Sequence, residues 1–288
     1  MPSIRLNSDA GAALAVDPRY DLRRTLECGQ VFRWTLHGDA AVGVVSDRVW
    51  TVRQTGRALR VWGVGTAGAL SVIGRHLAVD APLRRVETAL ATDAVLRRVL
   101  PRTGGIAVMR QDPWECLISY VISAFNNIPK IRLTVDRLAR RFGEPLGGGQ
   151  HGFPSAQRLA EARLSALRTC ILGYRAPYVR ATARAVADGA IDLDALRRLP
   201  YDAARTLLLA LPGVGEKVVE CALLFALGHG EAFPVDVWVQ RAVQRAYLRG
   251  RRATPRVIRE WARARFGALA GYANQHLFVA ARSGVLTV

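Results

Sequence analysis

Two residues of this chain have the types and the setting for covalent chemistry. Lys217 lies in Leu211-Pro212-Gly213-Val214-Gly215-Glu216-Lys217, and Asp236 follows in Phe233-Pro234-Val235-Asp236-Val237-Trp238. The chain holds 41 basic residues, and only Lys130 and Lys217 among them are lysine. Arginine stays protonated and cannot act as an amine nucleophile, whereas lysine can lose a proton, attack an electrophilic carbon and form a Schiff base. An arginine-favouring composition could leave two lysines by chance. The surroundings of Lys217 argue for a task.

A helix over 202–210 leads into Pro-Gly-Val-Gly, and a second helix starts near Glu216. Gly213 and Gly215 let the backbone turn tightly with N–H groups exposed. The free N–H groups at the second helix's start form an anion site suited to a phosphate. An ordinary αα-hairpin is the alternative. Lys217 falls in the first turn of that helix, whose positive end disfavours an ammonium and so favours the free amine. Cys221, four residues on, shares its face. Asp236 reads first as the N-cap of the next helix. Its functional reading is a carboxylate facing Lys217, able to orient the amine, move protons and stabilise a cationic sugar.

These groups must be positioned by a chain whose period changes once. Runs over 31–36, 42–45, 49–54 and 59–62 are short, β-branched or aromatic, and separated by polar turns, which predicts antiparallel hairpins. From about Ala67 the pattern is helical. Helices are expected over 67–76, 82–91, 93–100, 113–125, 128–142, 156–166, 176–188, 192–199, 202–210, 216–227, 237–248, 255–266 and 273–282, with Gly147-Gly148-Gly149 as a flexible surface loop. The fold class is α+β: an N-terminal antiparallel sheet domain with flanking helices over 1–105, then a larger helical region over 106–288.

The formal charge of +18 points to a polyanionic partner, nucleic acid first, because phosphate neutralisation releases counterions. The four cysteines, Cys28, Cys116, Cys170 and Cys221, are widely spaced, which argues against zinc or iron–sulfur ligation. No apolar run approaches the roughly 20 residues that span a bilayer. The N-terminus, with Arg5 between polar residues and Asp9 and Asp17 bracketing its alanines, lacks the form of a secretory signal. A cytoplasmic protein is expected, nucleoid-associated if prokaryotic, with no membrane partner.

LPGVGxKVxxC followed by PVDVWVxR resembles the helix-hairpin-helix DNA glycosylases, and within them the 8-oxoguanine branch. Four further segments carry the likeness: Cys28-Gly29-Gln30-Val31-Phe32-Arg33-Trp34, Ser123-Ala124-Phe125-Asn126-Asn127-Ile128-Pro129-Lys130-Ile131, Leu172-Gly173-Tyr174-Arg175-Ala176-Pro177-Tyr178, and Tyr272-Ala273-Asn274-Gln275-His276-Leu277-Phe278. The resemblance implies a bifunctional enzyme that flips oxidised guanine out of double-stranded DNA, since the glycosidic bond is unreachable inside the stack. It implies that Lys217 attacks C1′, that β-elimination follows from the Schiff base, and that Asp236 is the partner carboxylate. Cys221 and Phe278 would sandwich the base, with Asn274 or Gln275 at its Watson–Crick edge. The Gly29 carbonyl would accept from N7–H, a proton that guanine lacks. Gly213 and Gly215 would meet the backbone. Tyr174 would fill the stack, and Arg175 and Lys130 would contact the estranged cytosine, with Asn126 and Asn127 beside them. No cofactor is implied for the chemistry; the hairpin is a candidate place for a monovalent cation, and a monomer is expected.

The resemblance breaks at Phe125, where the family carries the first of three asparagines, and at Lys130, where some members carry arginine. A phenyl ring cannot hydrogen-bond a base edge, so a weaker preference for the opposite cytosine is expected. Two rivals are weighed. Adenine or thymine-glycol glycosylases commonly carry four cysteines near the C-terminus, and no cysteine follows Cys221 here; alkylation-repair members need no lysine at 217. A non-enzymatic helix-hairpin-helix DNA-binding module would form no covalent adduct.

Overall fold

The computed structural model describes residues 11–63 and 68–287. The N-terminal residues Arg5 and Asp9 and the helix start expected at Ala67 lie outside them. The sheet has five antiparallel strands, β1 Ala12–Ala15, β2 Trp34–His37, β3 Ala40–Val45, β4 Arg48–Thr55 and β5 Ala58–Trp62, in the order β1-β5-β4-β3-β2. β1 is not among the expected strands; its Ala-Ala-Leu-Ala sequence has no β-branched residue, and it is recruited by pairing along β5, Ala12 opposite Val61. The strand expected from Val31 begins only at Trp34, because Cys28–Arg33 serves as a loop at the site.

Helix α1 (Leu22–Glu27), also unanticipated, is capped by Asp21 and packs Leu22 and Leu26 under the sheet with α2 (Ala69–His76). Then follow α3 (Leu83–Leu90), α4 (Ala94–Thr103), α5 (Pro113–Ile122), α6 (Ile128–Phe142), α7 (Ala156–Glu161), α8 (Leu164–Arg168), α9 (Ala176–Ala187), α10 (Leu193–Leu196), α11 (Tyr201–Leu209), α12 (Glu216–Ala222), α13 (Val237–Ala246), α14 (Pro255–Phe266) and α15 (Ala270–Arg282). The helix expected over 156–166 breaks at Ala162, whose backbone is extended. The Gly147–149 run is the tip of a small hairpin between β6 (Pro145–Gly147) and β7 (Gln150–His151), not a free loop.

Three cores result. One lies under the sheet and includes Trp50 and Met109. A central one joins α5, α6, α9, α11 and α12. In the third, α3 and α4 pack with α13, α14 and α15. No helix among the described residues is long and apolar enough to cross a membrane. The candidate site forms where α5, α12, the start of α13, the end of α15 and the Cys28–Arg33 loop converge.

Candidate active site

The hairpin joins α11 to α12, and its two glycines do different work. Gly213 has φ +77, and a Cβ there would lie 2.4 Å from Tyr178 of α9, so both backbone and space require glycine. Gly215 has φ −93 and is the N-cap of α12; a Cβ there would meet nothing within 4 Å. No side chain caps α12. The open ground at Gly215 and the uncapped N–H groups therefore face outward, as an anion site needs. The Pro212 carbonyl accepts from the Thr182 hydroxyl at 3.1 Å, which moors the turn to α9.

Lys217, half-buried in the first turn of α12, directs its Nζ inward. It donates to Ser123 Oγ at 2.8 Å and lies 4.7 Å from the Tyr120 ring centroid. Tyr120 is itself fixed. Its ring stacks on Phe225 at 5.6 Å and meets Phe32 edge-on at 5.5 Å, and its hydroxyl donates to the Gln30 carbonyl at 3.1 Å. Phe225 belongs to a π-helical turn, Leu223–Leu227, in which the expected 216–227 helix changes its pitch. Such turns are frequent at functional sites.

Asp236 caps α13: Oδ1 accepts from the Val239 N–H at 2.8 Å. Burial pushes its carboxyl above the usual carboxylate range, while the Val239 and Trp238 N–H groups and the charges of Lys217 and Arg282 pull the other way. Asp236 thus feels Lys217, though Nζ forms no ion pair with it; the amine rests on Ser123 and Tyr120. Cys221 is buried against both, and burial pushes its thiol up to about 12 despite Lys217, so the sulfur is a neutral packing surface.

Gly29 completes the wall. Its φ is +90, and a Cβ would lie 2.8 Å from Ile128 Cδ1 and 3.2 Å from Phe278 Cε1. A side chain at 29 would fill the space over Phe278. The glycine is held there by its neighbour. Gln30, fully buried, donates from Nε2 to the carbonyls of Thr25 and Ala107 at 2.9 and 2.8 Å and accepts from the Met109 N–H at 2.9 Å. On α15, Asn274 and Gln275 flank Phe278 one turn earlier. Asn274 donates to the Pro234 carbonyl at 2.7 Å, two residues before Asp236, and the buried Gln275 Oε1 has no hydrogen-bond partner among the described residues. Arg282 lies 5.3 Å from the Phe278 ring at the rim.

The loop between α5 and α6 differs from the expectation. α5 ends at Ile122, so Phe125 is not the end of a helix. It has φ +47 and is 99% exposed. Arg175 Nε donates to the Ala124 carbonyl at 2.8 Å, Arg175 Nη2 donates to both the Ala124 and Phe125 carbonyls, and the Tyr174 hydroxyl reaches Ala124 at 3.3 Å. Arg175 is buried and lies 4.4 Å over the Tyr174 ring. Two of its three nitrogens, Nε and Nη2, are held by the loop. Asn126 donates to the Ile122 carbonyl at 3.1 Å, and Asn127 caps α6 through the Lys130 N–H at 3.0 Å. The asparagines therefore shape the loop, while the Lys130 side chain is exposed.

Gln30 and Ser123 lie in the motif segments and Tyr120 in the helix expected over 113–125, yet none stands out in the sequence, because only the fold brings them to Lys217. Glu220 gave no local signal. Buried on α12, it accepts from Tyr201 Oη at 2.6 Å, Arg205 Nε at 3.2 Å and the Phe233 N–H at 3.0 Å, and so joins the lysine helix to the segment carrying Asp236.

All four cysteines are free and buried, and no His, Cys, Asp and Glu cluster among the described residues could hold a metal ion. Residues 13–117 match a family described as 8-oxoguanine DNA glycosylase, N-terminal domain, and residues 118–266, over half the chain, match the HhH-GPD superfamily base excision DNA repair protein. A probable N-glycosylase/DNA lyase of Methanothermobacter thermautotrophicus is 37% identical over 201 residues, which cover 62% of this chain and 64% of that one. The structure of MBOgg1 in complex with a low affinity DNA ligand superposes with a TM-score of 0.92 at 31% identity, over 96% of this chain and 98% of the other. That of Clostridium acetobutylicum 8-oxoguanine glycosylase/lyase, with double-stranded DNA containing cytosine opposite 8-oxoguanine, gives 0.88 at 28% identity, over 93% of each chain.

Proposed function

The chain belongs to the HhH-GPD superfamily of base excision DNA repair proteins, and we propose that it removes 8-oxoguanine from double-stranded DNA and then nicks the strand. The observation that carries this reading is the placement of the Lys217 amine, one of two side-chain amines in the chain, against α5 and beside Cys221 and Asp236; between these groups and the Gly29–Phe278 contact we place the hollow for the base. The flipped base lies between the Phe278 ring and the neutral Cys221 sulfur, with Asn274 or Gln275 at its Watson–Crick edge. The Gly29 carbonyl accepts from N7–H. Guanine lacks that donor, and a site built to pair with it rejects the lesion-free base.

Lys217 first gives up a proton, and Asp236, whose carboxyl feels the charge of Lys217, takes it. The Nζ lone pair then attacks C1′ as the bond from C1′ to N9 breaks and the base leaves with the bonding electrons. The departing base takes the proton from Asp236, and the ionised carboxylate then faces the positive charge left on the amine and the sugar. Opening of the sugar ring gives a Schiff base between Nζ and C1′. Loss of a C2′ proton then expels the 3′-phosphate, and water frees the lysine. The uncapped start of α12 at Gly215, with Gly213 behind it, holds a backbone phosphate. The Gly213 and Val214 carbonyls accept no hydrogen bond among the described residues, which suits a monovalent cation at the turn. Tyr174, Phe125 and Lys130 face the gap left by the base. The protein acts as a monomer.

Borohydride reduction during turnover on a duplex containing 8-oxoguanine opposite cytosine tests the proposal. A covalent adduct is expected with the wild type and none with Lys217→Gln. An adduct that persists in Lys217→Gln would move the nucleophile elsewhere. No adduct with any oxidised duplex would favour a non-enzymatic DNA-binding module.

A further inference from the structure

Lys217 ends four rotatable bonds from its backbone, and an amine on so long a stem attacks productively only if something fixes its direction. That something is not an ion pair: Lys217 reaches the Asp236 carboxyl only through its charge. Its partners are the Ser123 hydroxyl at 2.8 Å and the Cys221 thiol, whose sulfur is a weak acceptor and directs an amine far less than an oxygen does. Ser123 Oγ in turn donates its one proton to the Tyr120 carbonyl at 2.7 Å, so it meets the amine as an acceptor. Ser123 is buried, and its N–H bonds the Ser119 and Tyr120 carbonyls at 3.1 Å as the C-cap of α5. The next two carbonyls, of Ala124 and Phe125, are gripped by Arg175. The hydroxyl therefore stands on a rigid support, with the Tyr120 ring closing the side of the amine.

We propose that Ser123 is a positioning residue that aims the Lys217 amine for attack. This rests on Lys217 being the nucleophile. One N–H stays donated to Oγ when the amine loses its proton, so the lone pair opens away from Ser123 and into the hollow. Without the hydroxyl, the amine keeps its position along the stem but loses its direction.

The test is single-turnover excision of 8-oxoguanine opposite cytosine, with duplex affinity measured separately. Ser123→Ala should slow the chemical step about 10- to 100-fold and depress borohydride trapping in parallel, leaving the Kd for duplex unchanged. Ser123→Thr keeps the hydroxyl and should recover most of the rate. Ser123→Cys keeps the size but offers a weak acceptor and should be slow; it carries the test if the alanine protein fails to melt cooperatively. Full activity in Ser123→Ala or Ser123→Cys would overturn the role, as would a threonine variant as slow as the alanine one. So would a defect confined to Kd, which would mark Ser123 as structural. Wild-type protein that excises nothing would instead overturn the enzymatic reading beneath it.

Discussion

Around Lys217, buried groups hold one another. Gln30 fixes the loop of Gly29, Tyr120 binds Gln30, Ser123 binds both Tyr120 and Lys217, and Asn274 ties α15 to the segment of Asp236. Between α5 and α6 the arrangement is reversed. Phe125 offers its whole ring to solvent from a left-handed backbone, a conformation that costs a bulky residue on the order of 1–3 kcal/mol and persists only where its surroundings impose it. Arg175 imposes it, by binding the two carbonyls that the left-handed turn presents. The groups around Lys217 are thus fixed by one another, whereas the loop carries an apolar group that only a partner can cover. Chemistry should be sensitive to single atoms in the first region, and partner choice to side-chain size and polarity in the second.

The largest effect should come from Lys217→Gln. Excision and adduct formation should vanish while duplex affinity persists, because α12 keeps its uncapped start. Asp236→Asn should follow, slowing single-turnover excision by about 100-fold or more, as is typical for a lost proton-transfer group. Folding should not suffer, since asparagine caps a helix about as well. A carboxyl raised by burial is disfavoured when ionised, so its folded-state penalty grows as pH rises, and the neutral asparagine removes it. The melting temperature at neutral pH should hold or rise slightly. In the wild type, the acid limb of the rate profile should lie above the ordinary carboxylate range. A limb within that range would separate Asp236 from the chemistry.

The hairpin gives a comparison inside the first region. Gly213→Ala places a methyl against Tyr178 at a positive φ and should destabilise the fold by about 1–3 kcal/mol in urea titrations. Gly215→Ala should leave stability nearly unchanged and weaken duplex binding, because its Cβ enters only the space a phosphate would use. Equal losses of stability in the two would remove the distinction between packing glycine and contact glycine.

Legibility in the sequence followed the range of the interactions. Helices over 128–142 and 255–266 appear with the bounds expected, because proline, caps and period agree locally. Strand β1 was illegible: its alanines owe their conformation to β5. The sequence pattern extends the helix to Phe125 because Ile122, Ser123 and Ala124 carry no stop signal; the stop is Arg175, fifty residues away. The motif residues on the hollow were readable as types. Ser123, Tyr120 and Glu220 were not, since their meaning lies in what they touch.

The smallest effect expected, and the one that bears most directly on the loop, is that of Phe125→Asn. An amide there can donate to and accept from an unpaired cytosine, whereas a phenyl ring can only stack or fill space. Stacking contributes roughly 1–3 kcal/mol per base with little regard to identity, and a base-edge contact adds discrimination of about the same size. Arg175 has only Nη1 left for that contact, since Nε and Nη2 hold Ala124 and Phe125. The wild type should therefore excise 8-oxoguanine with modest dependence on the opposite base, and Phe125→Asn should favour cytosine by up to about ten-fold. Asparagine also tolerates the left-handed backbone better than phenylalanine, so the variant should be no less stable. Single-turnover rates opposite C, A, G and T for both proteins decide the matter. A wild type already strongly selective for cytosine, and unchanged by the substitution, would show that selectivity resides elsewhere and that the exposed ring has no part in it.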